Sequence, residues 1–496
     1  MENKKNSYQQ IFKATSIFGG VQVVNILILV IRSKFIAVLL GPAGMGVASL
    51  LISTTNFLSS LTHFGLGSSA VKNVAVANGT GDEHKLGQTI AVFRKLVWIT
   101  GMFGFILALA LSPLLSKIAF GNNKYTISFM LISVTLLLTQ ISDGQTVLLR
   151  GTRNIKLMAK ASMIGALMGL LISIPLYYFF GQKGITPSII LTAVSGLCVT
   201  WFYSKKIKIK KVQTNKQIIV SEGLDMLKMG VLISMSSLIS MGTSYIVRIF
   251  ISSMGGISDV GLYNAGFAII GTYVGLVFTA MSTDYYPRLA AVANDNKKCR
   301  EEINQQAEVA LLILAPILII FLVFIDFAII LLYSKEFIAI TSMVHWAAIA
   351  IFFKATSWAI GIIFISKGAT KLFFWNELIT NTYLLGLNIL GYYFFGLTGL
   401  GVSFLIGYIL HLVQMYIVTN RLYGFTFDSK FIKIFLFQFL LAIACFISVS
   451  FLQKNLSYLI GICFITISMF FSWKEMNKRI DLNLMLSKIL LKKIKK

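Results

Sequence analysis

Apolar runs long enough to cross a membrane repeat along the whole chain, and Gly, Pro, Asn and charged residues separate them. A helix needs about 20 apolar residues to span the hydrocarbon layer. The first six runs are predicted at 17–40, 46–69, 90–112, 126–149, 157–180 and 185–203. Eight more are predicted at 229–252, 261–284, 306–333, 338–365, 373–395, 398–420, 431–452 and 456–473. This pattern predicts an all-α polytopic membrane protein with about 14 transmembrane helices.

The composition excludes the main soluble classes. The chain has 496 residues, of which 56% are hydrophobic and 12% charged, whereas soluble domains carry about 25% charged residues. The basic N-terminus leads into an apolar run without a small-residue cleavage site, so we interpret that run as the first helix. The four cysteines form no CxxC pair and the four histidines no HExxH motif. The sequence therefore predicts no metal site, disulfide framework or cofactor.

The positive charge follows the pattern of a membrane protein. The formal net charge is +26, from 44 Lys and Arg against 18 Asp and Glu. When the N-terminus is placed in the cytoplasm, 35 of the 44 basic residues fall on the cytoplasmic side and five on the opposite side. Such a bias sets the orientation of a membrane protein. We therefore expect both termini to be cytoplasmic and no nucleic-acid partner.

An internal repeat divides the chain. The segments LGPAGMGVAS (40–49) and GGISDVGLYN (255–264) both contain glycines five residues apart, and the lysine-rich stretch 205–216 lies between them. An even number of spans in each copy makes the repeats parallel. The predicted domains are an N-terminal lobe (1–204), a basic cytoplasmic linker (205–228), a C-terminal lobe (229–424) and two extra helices with a basic tail (425–496).

Four basic residues fall inside predicted spans: Arg32, Lys34, Arg248 and Lys354. A cation at the bilayer centre costs about 2.5–3.5 kcal/mol on insertion scales, so it needs a polar interior or a partner. On helical spacing, Gln22 and Asn25 share the stripe of Arg32, and Ser244 shares that of Arg248. These stripes favour a cationic, water-accessible cavity. Arg32 and Lys34 point to different faces, and we expect one of them to line it.

A purely structural alternative remains open. Arg32 and Lys34 can extend to the outer headgroups, and Arg248 can pair internally. Acidic residues are fewer than basic ones in the bilayer interior, which favours an anionic substrate over a cationic drug. Asp326, near the outer end of the ninth span, is the best candidate for an ion-coupling carboxylate, and it can instead pair with a basic residue. No set of nucleophile, base and orienting group is present, so we expect no catalytic residues and no enzyme.

Several segments resemble those of Wzx-type O-antigen translocases, in the polysaccharide-exporter branch of the superfamily that includes multidrug extruders and lipid II flippases. They are LLGPAGMGVASL (39–50), RGTRN (150–154), VRIFISSMGGISDVGLYNA (247–265) and IDFAIILLYSKEF (325–337). The resemblance covers roughly residues 10–420. It implies a V-shaped fold of two six-helix lobes with a central cavity and alternating access, in a bacterial inner membrane. Arg248, Lys34 and Lys354 match basic residues of the family, and Arg32 has no such match.

The resemblance further implies the substrate. Family members flip undecaprenyl-diphosphate-linked oligosaccharides from the cytoplasmic to the periplasmic leaflet, and basic cavity residues are thought to hold the diphosphate. Arg248 and Lys354, with Lys34 or Arg32, are then the expected diphosphate ligands. Membrane lipids, the polysaccharide polymerase and the chain-length machinery are the implied partners. Two alternatives are a cation-coupled multidrug antiporter of the same fold and a membrane scaffold that transports nothing.

Overall fold

The computed structural model describes residues 2–210, 212–213 and 215–480, except for the side chains of 2–20, 22–23, 216, 273, 283 and 480. The helices are α1 (Glu2–Thr62), α2 (Leu66–Gly79), α3 (Glu83–Phe120), α4 (Thr126–Gly151), α5 (Ile155–Phe180), α6 (Ile185–Ser204), α7 (Lys216–Met254), α8 (Ile257–Ala268), α9 (Gly275–Ala291), α10 (Asn296–Leu332), α11 (Thr341–Ser366), α12 (Thr370–Tyr423), α13 (Ser429–Phe451) and α14 (Lys454–Ile480). A π-helical turn joins α8 to α9. No strand occurs among the described residues, which confirms the all-α prediction.

Eleven helical segments of the described chain are long and apolar enough to cross a membrane. Three of them, Val24–Thr62, Ile155–Ser204 and Thr370–Tyr423, each hold two predicted spans. Glycine interrupts two of these three, because it adopts positive φ without steric cost: Gly41 has φ +65° and Gly396 has φ +56°. A short 3₁₀ turn, Gly181–Gly184, interrupts the remaining one. Apart from the end of the span predicted at 46–69, the predicted spans lie in helices to within a few residues, and their count of fourteen stays a prediction.

The span predicted at 46–69 is wrong at one point, since the helix breaks between Thr62 and Leu66. Both Phe64 (φ +50°) and Gly65 (φ +63°) have left-handed backbone. A Cβ at Gly65 would lie 2.0 Å from the carbonyl oxygen of Gly230 in α7. The break therefore follows from a backbone-to-backbone approach of two helices, which a hydrophobic pattern does not record.

The described chain forms two compact units. The first comprises Met1–Asn264 and Leu332–Glu336, and the second comprises Ala265–Leu331 and Phe337–Lys496. In the first unit α7 packs against α2 and α3, although the sequence places this helix in the C-terminal lobe. The helix begins at Lys216, so half of the predicted linker is helical. The lobe boundaries stay a prediction, and residues 481–496 of the predicted tail lie outside the described chain.

The two copies of the internal repeat pack directly on each other in the first unit. A Cβ at Gly46 would lie 1.9 Å from the carbonyl oxygen of Ile257, and a Cβ at Gly261 would lie 1.9 Å from that of Pro42. Each repeat glycine thus lets the other copy's backbone approach. Gly41 ends the first half of α1, and Pro42 begins the second half, where its missing N–H costs nothing.

In the second unit, ion pairs join α14 to α10. Arg479 Nε lies 2.7 Å from Glu308 Oε2 of α10, and within α14 the same arginine is held by Glu475, whose Oε2 lies 2.7 Å from Nη1. Near the opposite ends of the helices, Lys454 Nζ lies 3.5 Å from Asp326 Oδ2. The Glu308 side chain is only 9% exposed, so it depends on Arg479 for charge compensation.

Replacing Arg479 with Ala should destabilise this attachment strongly. Removing one partner of a buried pair costs about 3 kcal/mol or more, because the other charge stays buried and unpaired. We expect a clear decrease in the unfolding temperature of the purified protein in detergent. Lys478→Ala is the matched control: it removes a pair with Glu475 in which the lysine is 59% exposed, and such pairs contribute about 1 kcal/mol or less. Equal unfolding temperatures for the two variants would contradict the assignment.

Candidate functional site

The first unit contains a cavity of about 380 Å³ that is lined by residues of α1, α5, α7 and α8. The polar and charged residues of its lining are Arg32, Ser33, Ser49, Ser53, Asn56, Tyr177, Ser244, Arg248 and Asn264. Two guanidinium groups therefore share one cavity, and its lining includes no carboxylate. Such a cavity attracts an anion, because the two positive charges have no acid in the wall to neutralise them.

Arg248 is held in place by neutral groups. Its Nη1 donates to the carbonyl oxygen of Ser244 at 2.9 Å and also to the Ser244 hydroxyl. Its Nη2 donates to Asn264 Oδ1 at 3.3 Å, and the guanidinium lies 5.6 Å from the centre of the Tyr263 ring. The buried Nε has no hydrogen-bond partner within the described part of the chain. The guanidinium is oriented but keeps its charge available.

Arg32, and not Lys34, lines this cavity. The Nε of Arg32 is buried and also lacks a hydrogen-bond partner among the described residues. Lys34 instead turns away from the cavity, and its Nζ donates to the carbonyl oxygen of Tyr333 at 2.5 Å. The two side chains do point to different faces. The one in the cavity lining is Arg32, which has no counterpart among the family's basic residues named above.

The other polar candidates are distributed differently. Ser244 lies in the cavity wall and binds Arg248. Asn25 is outside the lining and donates to Ser162 Oγ at 2.9 Å. The side chain of Gln22 lies outside the described residues. Asp326 is not in this cavity either: its Oδ1 accepts from Thr341 Oγ1 at 2.7 Å, and its Oδ2 pairs with Lys454. A role for Asp326 in ion coupling stays a prediction.

Lys354 lies in a cavity of about 510 Å³ in the second unit. Its Nζ lies 5.2, 5.6 and 5.9 Å from the ring centres of Tyr408, Phe404 and Phe278. Glu377 and His411 line the same cavity. Within the described residues, Lys354 has no ion pair. Three aromatic faces stabilise its ammonium group instead.

Sequence reasoning missed several lining residues. In the first cavity these include Ser49 and Asn264, which are the last residues of the two repeat copies and correspond to each other. That correspondence is the signal that identifies them. In the second cavity the missed residues are Glu377, His411, Trp358 and Tyr408, and no spacing in the sequence brings them together.

Residues 35–342 match the family model described as "Polysaccharide biosynthesis protein". The chain belongs to this family. The match includes Arg248 and both copies of the repeat, and it leaves Arg32, Lys34 and Lys354 outside. The predicted membership in a polysaccharide-exporting family of membrane proteins is confirmed.

Curated relatives of this family member are distant in sequence. The lipid III flippase of Escherichia coli (strain K12) is 21% identical over 361 residues, which cover 71% of this chain and 84% of the relative. A putative O-antigen transporter of Shigella flexneri is 22% identical over 304 residues, which cover 58% of this chain and 69% of the relative.

Solved structures of other proteins share the fold of this chain. An inward-facing multidrug-resistance MATE family transporter of the MOP superfamily matches with a TM-score of 0.69 at 13% identity, covering 81% of this chain and 94% of the transporter. The lipid II flippase MurJ in its inward closed conformation matches with a TM-score of 0.67 at 13% identity, covering 94% of this chain and 99% of MurJ. The predicted fold class, related to the multidrug extruders, is confirmed.

Proposed function

We propose that this protein flips an undecaprenyl-diphosphate-linked oligosaccharide, an O-antigen or related polysaccharide unit, from the cytoplasmic to the periplasmic leaflet of a bacterial inner membrane. The observation that carries the proposal is the cavity with Arg32 and Arg248 and no carboxylate in its lining. The family membership and the names of the two relatives support it. Transport involves no covalent chemistry, so the protein is not an enzyme.

The charges of the cavity suit a diphosphate. A bare diphosphate in the hydrocarbon layer would carry a very large desolvation cost. Guanidinium groups offset it, because each presents several N–H donors in a planar fork that matches phosphate oxygens. The prenyl chain stays in the bilayer, and alternating access exposes the cavity to one face of the membrane and then to the other.

The membrane potential favours export in the proposed orientation, with both termini in the cytoplasm. An anion that leaves a negative interior gains about 2.3 kcal/mol per charge per 100 mV. The excess of Lys and Arg in the turns assigned to the cytoplasm supports this orientation. Contacts with the polymerase and the chain-length machinery belong to the proposal as well.

Translocation in proteoliposomes tests the proposal. The probe is a fluorescent undecaprenyl-diphosphate sugar, whose exposure at the outer leaflet is measured with an impermeant quencher. Fluorescent phosphatidylcholine in the same vesicles is the control for unspecific scrambling. We expect the sugar lipid to flip rapidly and the phosphatidylcholine to stay in place. Equal flipping of both lipids, or no flipping by well-folded protein with and without a membrane potential, would overturn the function. Efflux of a cationic dye driven by a proton or sodium gradient would instead establish the antiporter.

A further inference from the structure

The two cavities differ in the net charge of their lining, and they therefore favour different classes of ligand. The wall of the first contains Arg32 and Arg248 without an acid. The wall of the second contains one base, Lys354, and one acid, Glu377. A formally neutral wall gives no general attraction for a diphosphate, whose charge requires an excess of cations. The second cavity therefore suits a ligand without large net charge.

Aromatic rings supply apolar faces in the second cavity. Trp358, Tyr408, Phe373 and Tyr286 line it, and Tyr286 is 43% exposed. A pyranose ring has one face of C–H bonds that packs on an aromatic ring, while its hydroxyls point outward to polar groups. A cavity of about 510 Å³ falls within the ordinary range for small-molecule sites, about 300–1,000 Å³.

Polar groups with unused hydrogen-bonding capacity stand beside these rings. Among the described residues, the side-chain carboxyl of Glu377 accepts one hydrogen bond, from Asn381 Nδ2 at 3.4 Å. The ammonium of Lys354 has three donors, and it lies among rings that accept no strong hydrogen bond. Donors and acceptors in the same wall match sugar hydroxyls, which donate and accept.

One ring nitrogen of His411 has a partner and the other has none. His411 Nδ1 lies 2.9 Å from Ser357 Oγ, and the same Oγ lies 3.1 Å from the carbonyl oxygen of Lys354, to which it can donate. In a neutral ring, Nε2 is an acceptor when Nδ1 carries the proton and a donor when it does not. That atom is buried and has no hydrogen-bond partner among the described residues, a cost that a ligand hydroxyl would remove.

We propose that the cavity of the second unit binds a sugar ring of the lipid-linked oligosaccharide. The aromatic side chains pack on the C–H face, Glu377 accepts from a hydroxyl, His411 Nε2 forms a hydrogen bond with another hydroxyl, and Lys354 donates to a hydroxyl or carbonyl oxygen of the sugar. This assignment rests on the proposed function and adds that each cavity binds a different part of the substrate. The arginine cavity recognises the diphosphate that all substrates share, and the second cavity recognises the sugar.

Binding measurements on the full-length protein in nanodiscs test this assignment. The probes are bare undecaprenyl diphosphate and the same lipid carrying N-acetylglucosamine, glucose or galactose. We expect at least one sugar to increase the affinity over that of the bare lipid. His411→Phe keeps a ring of similar size, removes the unpaired ring nitrogen and leaves Ser357 Oγ within hydrogen-bonding distance of the Lys354 carbonyl oxygen. It should reduce the affinity gained from the sugar by about fivefold to tenfold, the effect of one hydrogen bond. It should leave the affinity for the bare lipid and the unfolding temperature unchanged.

Matched variants distinguish a failure of the proposed sugar site from a failure of the proposed flippase function. His63→Phe makes the same change at a histidine in the break between α1 and α2 that lines neither cavity, and it should keep the full sugar-dependent gain. Arg248→Ala should weaken the binding of every lipid. If bare undecaprenyl diphosphate binds but no sugar increases its affinity, or if His411→Phe keeps the gain, the sugar site is overturned and the flippase proposal stands. If no undecaprenyl lipid binds, the proposed function itself fails. Binding of tetraphenylphosphonium that Glu377→Gln abolishes would reassign the cavity to organic cations.

Discussion

Replacing Gly261 with Ala should abolish most of the correctly folded protein. The added Cβ would lie 1.9 Å from the carbonyl oxygen of Pro42 and 2.9 Å from the backbone nitrogen of Gly46. Both neighbours are backbone atoms, so no side chain can rotate away to make room. Adding methyl groups to a well-packed core typically costs about 1–3 kcal/mol, and here the cost falls at or above the upper end of that range because the helices must separate. The measurement is the yield of monodisperse protein and its unfolding temperature in detergent.

The reciprocal substitution strengthens this test. Gly46→Ala would place its Cβ 1.9 Å from the carbonyl oxygen of Ile257, at the same crossing of the two repeat copies. Since both changes force the same separation, their effects should be less than additive in the double variant. Gly165→Ala is the control, because no heavy atom lies within 4 Å of its added Cβ. It should preserve or slightly raise stability through the higher helix propensity of Ala. Normal yields for Gly261→Ala would mean that the two copies do not pack as described.

The helical architecture could be predicted because hydrophobicity and length are local properties of the sequence. Each apolar run satisfies its backbone hydrogen bonds within its own helix, as the bilayer requires. The break between Thr62 and Leu66 could not be predicted in this way, since it depends on the approach of Gly230 from α7. The repeat around Gly46 and Gly261 was visible as spacing alone. The contact between the two copies, which explains this spacing, is seen only in the three-dimensional structure.

The candidate site was predictable to a similar degree. A cation inside an apolar run is unusual because it is costly in a membrane, so Arg32, Arg248 and Lys354 could be identified from the sequence alone. Which residues line a cavity together depends on how helices pack, and within the second unit Lys354 lines a cavity with His411 and Glu377. Lys34 does not line the arginine cavity and donates to the carbonyl oxygen of Tyr333, almost 300 residues further along the chain, which no sequence pattern indicates.

Replacing Arg248 with Ala should reduce the flipping of undecaprenyl-diphosphate sugars about 100-fold. Hydrogen bonds between charged groups contribute about 1.5–3 kcal/mol each, and the loss of about 2.8 kcal/mol corresponds to two factors of ten. Arg248→Lys keeps the charge but loses the planar fork, so it should retain more activity than the alanine variant, at roughly a tenth of the native rate. The measurement is the initial rate of probe exposure in proteoliposomes with matched protein content.

The comparison with a second arginine makes the result specific to the cavity. Arg421 is exposed near the end of α12 and lines neither cavity, so Arg421→Ala removes the same charge elsewhere and should flip at the native rate.

Arg32→Ala should slow flipping as Arg248→Ala does, whereas Lys34→Ala should have less effect on binding, because Lys34 donates to Tyr333 outside the cavity. If Arg248→Ala inserts normally, shows the native unfolding temperature and still flips at the native rate, the diphosphate is not held in the arginine cavity. If Lys34→Ala is the more damaging of the two α1 variants, the ligand on that helix is the lysine and the cavity must rearrange to admit it during transport.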